Sequence, residues 1–141
     1  MIGARRYKRE TDFETVSNWW VLHGEVPPIE ALYPQTGFIV ENVAAGFLYR
    51  TDSAMAMIEM IIYNPQARRD IRQKALDEVI EAIILEAKAL DYSILTGITN
   101  KPTVLERSKK FGFSLIENNM VTHLLHQKYQ FSCCLIFYSQ I

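Results

Sequence analysis

The strongest pattern along the chain is an apolar run followed by a long amphipathic segment. Residues 54–63 are almost all apolar, and Asn64 and Pro65 then interrupt the run, which predicts a buried strand that ends in a turn. Within residues 71–90, apolar side chains recur at steps of three and four with charged residues between them, which predicts a helix with one buried face. The sequence therefore predicts a strand, turn and helix at the centre of the protein.

Basic residues surround the predicted start of this helix. Asp70 and Gln73 have the spacing of a capping box, so Asp70 is predicted to be the N-cap residue. Arg68 and Arg69 precede the helix, and Arg72 lies in its first turn. Two interpretations stay open. Either the arginines and the helix amides bind a phosphate group, or they form a solvated basic turn that pairs with nearby Glu residues.

The rest of the chain is predicted to form short strands and short helices. Three consecutive strands with short turns predict an antiparallel meander, and a strand entered from a helix is expected to be parallel to the central strand. The apolar segment 131–138 is predicted to be a further strand, the alternative being an exposed tail. The other predicted elements are an edge strand at 4–9, a helix at 11–21 opened by a second capping box, a short helix at 29–32, strands at 37–41, 44–50 and 93–99, a helix at 103–111, and a hairpin of 113–116 and 120–126.

Length, charge and cysteine content narrow the class of protein. A chain of 141 residues that is 49% hydrophobic can bury one core, so we expect a single domain at 1–128 with 129–141 as its terminal strand or tail. A net charge of −1 disfavours nucleic-acid binding and attraction to a membrane surface. The two cysteines, Cys133 and Cys134, are adjacent and predict no disulfide framework. With no segment suited to span a bilayer, we expect a cytoplasmic protein.

The order of these elements is similar to that of the GNAT superfamily of acyl-CoA-dependent N-acetyltransferases. The resemblance spans residues 5–126 and implies an α/β fold with a mixed, mostly antiparallel sheet, flanked by helices and splayed between strands 54–63 and 93–99. It also implies transfer of an acetyl group from acetyl-CoA to an amine of a small molecule or protein, by direct attack. The residues that carry the resemblance are the strand ending in Asn64 and Pro65, the loop 68–73, the strand ending in Asn100, and the helix closing in Lys110, Phe111, Gly112 and Phe113.

In that family, bare backbone amides of a Gln/Arg-x-x-Gly-x-Gly/Ala loop surround the diphosphate of coenzyme A. Aligned on Arg68, this chain has Ile71 and Gln73 in place of the glycines. The resemblance therefore implies that arginine side chains replace the glycine amides. The implied cofactor-binding residues are Arg68, Arg69, Arg72 and Gln73 at the diphosphate, Ile61 or Ile62, whose amide polarises the thioester carbonyl, and Asn100 beside the pantetheine arm.

One ionisable residue, Glu59, lies inside the apolar run, and it is the candidate general base. Burial raises the pKa of a carboxyl group toward neutrality, where it can deprotonate an ammonium group. The alternative is that Glu59 faces solvent or pairs with an arginine on a neighbouring strand. For the general acid, the family commonly has a tyrosine where this chain has Ser108, and Tyr63 or Tyr92 are the other candidates.

A second class of function stays open beside the enzyme. A GNAT-like protein without catalysis could serve as a binding or assembly module, because function resides in sites carried by a fold. Some bacteriophage internal virion proteins resemble GNAT domains in this way, which would make the protein virion-associated, with a homodimer or another assembly partner. No metal site is predicted, because His123 and His126 fall on opposite faces of a strand.

Overall fold

The structure is a computed structural model, and it describes residues 3–99, 101–117 and 120–124. Within these ranges it contains seven strands and three α-helices, with a 3₁₀ turn at Glu30–Leu32. The elements in chain order are β1 (Arg5–Arg6), α1 (Arg9–Leu22), β2 (Gly37–Val40), β3 (Ala44–Tyr49), β4 (Met55–Tyr63), α2 (Arg69–Ala89), β5 (Ile94–Ile98), α3 (Pro102–Lys110), β6 (Ser114–Glu117) and β7 (Met120–Leu124).

The strands form one mixed sheet in the order β1-β2-β3-β4-β5-β7-β6. Strands β2, β3 and β4 are the predicted antiparallel meander. β4 and β5 are parallel, because the α2 crossover returns the chain to the same end of the sheet. The other pairs are antiparallel. This arrangement confirms the predicted fold class and the predicted order of elements.

The two faces of the sheet carry different helices. On one face, α2 comes close to β3 because residue 46 is a glycine, and a Cβ atom there would lie 2.8 Å from Cγ1 of Val79. On the other face, Val16 and Trp19 of α1 join a core with Phe47 and Ile62. The apolar period of the sequence predicted the buried side of α2, which consists of Ala75, Leu76, Val79, Ile80, Ile83, Ile84 and Ala87.

An ion pair fixes α1 over the sheet. The guanidinium group of Arg5 donates to both carboxylate oxygens of Asp12, each at 2.8 Å, and the Lys8 amide donates to the same carboxylate at 2.7 Å. The Arg5 hydrogen bonds hold the pKa of the buried Asp12 below its usual value. Because Asp12 binds the backbone before the helix, α1 begins at Arg9 and not at residue 11 as predicted.

The start of α2 also corrects a prediction. The capping box with Asp70 at the N-cap is wrong, because Arg68 is the N-cap residue and no side chain caps the helix. The side chain and carbonyl of Asn64 accept hydrogen bonds from the next residues of the turn, and this turn leads the chain into the helix at Arg69. Asp70 therefore lies in the first helical turn, where Arg68 binds its carboxylate.

Several predictions fall on residues that the structure does not describe. Asn100, the terminal segment 129–141 and its Cys133 and Cys134 lie outside the described ranges, so the predicted domain boundary stays a prediction. Among the helices that are described, none combines the length and the apolar character needed to cross a membrane.

Candidate active site

The two parallel strands at the centre of the sheet part toward their C-terminal ends. β4 and β5 pair from Met55 with Ile94 to Met57 with Thr96, and no further pair follows between them in the described residues. β4 nevertheless continues to Tyr63 and β5 to Ile98. The predicted splay is therefore confirmed, and it leaves backbone groups of both strands facing a gap.

Glu59 lies where the gap begins. Its carboxylate accepts a hydrogen bond of 3.3 Å from the Ile98 amide. In an unbroken parallel pair, this amide would instead donate to a backbone carbonyl of β4. Burial raises the pKa of Glu59, and the hydrogen bonds from backbone amides oppose this rise only in part. The structure thus shows a half-buried carboxylate that spans the gap, whereas the alternative from the sequence was solvent exposure or an arginine partner.

The next residue, Met60, forms a β-bulge that the sequence analysis missed. Its φ of 56° lies in the left-handed region, and the register between β3 and β4 shifts between Ala45 and Phe47. The bulge places one extra residue of β4 opposite Gly46. An isolated glycine within a predicted strand is a known signal for a bulge, so Gly46 was the available clue.

Beyond the bulge, β4 presents main-chain groups to the gap. The Asn64 amide donates to the Val43 carbonyl at 2.7 Å, so Tyr63 and Ala44 form a non-hydrogen-bonded pair. The amide and carbonyl of Tyr63 therefore point away from β3, toward β5. That carbonyl accepts a hydrogen bond of 2.9 Å from Nε2 of His23, which anchors the end of α1 to the end of β4.

Arginines border the corner between β4 and α2. Arg68 donates to both oxygens of Asp70, at 3.2 and 2.7 Å, in a pair whose side chains are 75% and 66% exposed. Arg72 lies over the Tyr63 ring, 4.7 Å from its centroid, and donates to the Pro65 carbonyl at 3.2 Å. The Nε atom of Arg72 is buried and has no acceptor among the described residues. One N–H group at this corner thus lacks a partner.

The hydrogen-bond donors at the start of α2 are of the kind that bind a diphosphate group. An α-helix leaves the amides of its first turn without intrahelical acceptors, here those of Arg69, Asp70 and Ile71. Arg68 and, less strongly, the Ile71 amide hold the pKa of Asp70 below its usual value. The corner thus already attracts one negatively charged group, the Asp70 carboxylate. The Ile71 side chain, at a position where the family has a glycine, is 44% exposed. The exposed ion pair of Arg68 and Asp70 has to open for a phosphate to bind.

The other residues predicted to bind the cofactor or to act in catalysis lie on β4, α2 and α3. Ile61 and Ile62 follow the bulge on β4, while Arg69 and Gln73 are exposed at the start of α2. Ser108 is buried in α3, and its hydroxyl donates to the Leu105 carbonyl at 2.7 Å. That hydroxyl proton is therefore committed to the helix backbone.

The other two candidates for the general acid, Tyr92 and Tyr63, differ in their contacts. The Tyr92 hydroxyl donates to the Thr51 carbonyl at 2.8 Å, at the end of the sheet where β4 begins, and so away from the gap. The Tyr63 ring lies between Arg72 and the ring of His23. In the described ranges, no three His, Cys, Asp or Glu side chains come together as a metal site would require.

Comparison with known proteins agrees with this geometry. A ribosomal-protein-alanine N-acetyltransferase from Escherichia coli has a TM-score of 0.70 at 13% identity, covering 91% of this chain and 98% of that chain. A GNAT-family acetyltransferase from Staphylococcus aureus Mu50 has a TM-score of 0.69 at 13% identity, covering 89% of this chain and 100% of that chain. The chain has the GNAT fold.

A third GNAT-fold neighbour has a ligand bound. N-acetylglutamate synthase from Neisseria gonorrhoeae, in complex with coenzyme A and N-acetyl-glutamate, has a TM-score of 0.67 at 16% identity. The match covers 90% of this chain and 36% of that chain. No protein-family model and no curated protein sequence matches this chain. At such low identities the likeness establishes the GNAT fold, and activity has to be argued from the residues of the gap.

Proposed function

We propose that the protein is an N-acetyltransferase that transfers an acetyl group from acetyl-CoA to an amine. The observation that carries this proposal is the position of Glu59, a half-buried carboxylate at the point where β4 and β5 part. A buried carboxyl group with a raised pKa, placed in a gap between strands, is a common feature of catalytic sites. The solved structures of similar fold that are named acetyltransferases support the same proposal.

The start of α2 is the proposed binding site for the diphosphate. Its first-turn amides and the side chains of Arg68, Arg69 and Arg72 supply positive charge, with Gln73 as a further donor. Binding there requires Arg68 to turn from Asp70 to the phosphate, which the exposure of both side chains permits. Acetyl-CoA supplies the activated thioester, and its pantetheine arm is proposed to bond along the gap beside Ile61 and Ile62 like an added strand.

Glu59 is the proposed general base. It takes a proton from the acceptor ammonium, and the free amine attacks the thioester carbonyl directly, so a C–N bond forms and the C–S bond breaks. The Ile61 amide, next to the bulge, is the proposed donor to the developing oxyanion, because Ile62 pairs with Ala45 and its amide faces β3, contrary to the expectation from the sequence. The acceptor is an amine of a small molecule or of a protein.

The fate of the leaving thiolate follows from its own chemistry. Thiols are far more acidic than alcohols, with a pKa of about 8.5 for an unperturbed cysteine, so a thiolate leaves with less help from an acid than an alkoxide does. Ser108 was the candidate acid, but its hydroxyl can donate to the thiolate only after it leaves the Leu105 carbonyl. We therefore propose that the second proton lost by the attacking nitrogen passes through water to the thiolate, and that Ser108 stabilises α3.

Acetyl-CoA binding tests the proposal against a catalytically inactive module. A ligand at about a thousand times its Kd raises the free energy of unfolding by about 4 kcal/mol, so millimolar acetyl-CoA should visibly raise the Tm if affinity is micromolar. The double variant Arg68→Ala and Arg69→Ala should lose most of the shift. The control Lys88→Ala, exposed near the other end of α2, should keep it.

The catalytically inactive module is the second candidate, and two observations favour it. Asp70 places a carboxylate at the amides where a phosphate would bind, and Ile71 stands where the family has a glycine. If acetyl-CoA leaves the Tm unchanged in the wild type, the enzyme proposal fails and the GNAT fold serves in binding or assembly.

A further inference from the structure

The hydroxyl group of Tyr49 joins two segments beside Glu59. It donates to the Leu32 carbonyl at 2.7 Å, and it contacts the sulfur atom of Met60 in the β-bulge. Leu32 ends the 3₁₀ turn at Glu30–Leu32, which follows the loop after α1. Tyr49 thus fastens this turn to the strand that carries the candidate base.

The strand register places Tyr49 and Glu59 on the same face of the sheet. Glu59 pairs with Phe47, and Tyr49 lies two residues further along β3, so the three side chains project from one face. Burial raises the pKa of Tyr49, and the negative charge of Glu59 adds to this rise, in agreement with their proximity. The 3₁₀ turn and the bulge, both in contact with the Tyr49 hydroxyl, therefore lie on the side of the sheet from which Glu59 projects.

Other contacts hold the far side of the turn. Arg9 of α1 donates to the Tyr33 carbonyl at 3.0 Å, and its guanidinium lies 3.7 Å from the Glu30 carboxylate. These contacts fix the turn to α1. The ring of Tyr33, which follows the turn, packs on Phe47 of β3, and the Tyr49 hydroxyl adds a hydrogen bond from the turn to the sheet.

We propose that Tyr49 is a positioning residue, which holds the Glu30–Leu32 turn at a fixed distance from the β4 bulge and so shapes the acceptor side of the site. This inference rests on the proposed acetyltransferase function. Tyr49 touches no reacting atom in this role. Its loss should weaken use of the amine while acetyl-CoA binding and the chemical step stay intact.

Tyr49→Phe tests the inference, with Tyr92→Phe as a matched control. Tyr92 also bonds a loop through its hydroxyl, to Thr51, but at the other end of the sheet. Acetylation is measured with three acceptor probes, a tripeptide with a free amino terminus, spermidine and phenethylamine. The loss of one hydrogen bond predicts a KM for the best acceptor about three- to tenfold higher in Tyr49→Phe, with kcat within about twofold of wild type. Tyr92→Phe should change neither constant.

Amide hydrogen exchange supplies a readout without turnover. The segment containing the Glu30–Leu32 turn should exchange faster in Tyr49→Phe and at the wild-type rate in Tyr92→Phe. An unchanged KM in Tyr49→Phe, or an equal change in the control, would overturn the positioning role. Wild-type protein that acetylates none of the probes and shows no Tm shift with acetyl-CoA would instead end the proposed function, and the role of Tyr49 with it.

Discussion

Replacement of Glu59 by Gln should separate the stability of the protein from its activity. The carboxylate is half buried, and burial raises its pKa above the value of 4.5 expected in the unfolded chain. Such a group stabilises the fold fully below pH 4.5, and this contribution is lost as the pH rises through the raised pKa. Gln is neutral at every pH and keeps an oxygen for the Ile98 amide.

The stability difference between Glu59→Gln and wild type should therefore grow with pH. It should be near zero at pH 4 and favour the variant at pH 8, by about 1.4 kcal/mol for each unit by which folding raises the pKa. Urea unfolding at a series of pH values measures it. As a control, Glu81→Gln on the exposed side of α2 should give no such rise.

The activity of Glu59→Gln should fall, although its stability at pH 8 should rise. Loss of a general base slows acetyl transfer by about 10²–10⁴-fold, or about 3–5 kcal/mol in the activation barrier. In the wild type, kcat/KM should rise with pH through a pKa above 4.5, and this rise should be absent in Glu59→Gln. A variant that is as active as wild type and equally stable at pH 8 would refute both the burial argument and the role of Glu59.

Two further substitutions test other parts of the account. Asp12→Asn weakens the ion pair with Arg5 and should lower the free energy of unfolding by about 1–3 kcal/mol at pH 7. Because the pKa of Asp12 is lowered on folding, the loss should shrink as the pH falls below 3.8, and a constant loss in denaturant unfolding would contradict the argument. Ser108→Ala should leave kcat within about threefold of wild type, whereas a loss of about a hundredfold in steady-state assays would restore Ser108 as the general acid.

Much of the fold followed from local chemistry that the sequence shows directly. Three features depend only on residues that are neighbours in the chain: the apolar period of α2, the turn at Asn64 and Pro65, and the apolar run of β4. Their positions were predicted to within two residues. The parallel pairing of β4 with β5 followed from the helix between them. The splay between these strands was implied by the resemblance to the GNAT superfamily and not by a local pattern.

The details of the site depended on contacts between distant residues. Met60 adopts a positive φ although methionine has no preference for that region, so only the packing of β3 against β4 explains the bulge. The capping motif at Asp70 failed because the turn at Asn64 leads the chain into a helix that begins at Arg69, so Arg68 is the N-cap residue. The bond from Tyr49 to Leu32 joins residues 17 apart through a loop whose path no local pattern indicates.

The central claim is that the gap beside Glu59 supports acetyl transfer. Mass spectrometry of an amine incubated with the protein and acetyl-CoA tests this claim most directly. The amine should gain one acetyl group, at a rate at least about a hundredfold lower in Glu59→Gln. Acetyl-CoA that remains unconsumed with a peptide amine, a polyamine and an arylalkylamine, in protein shown to be folded, would contradict the claim.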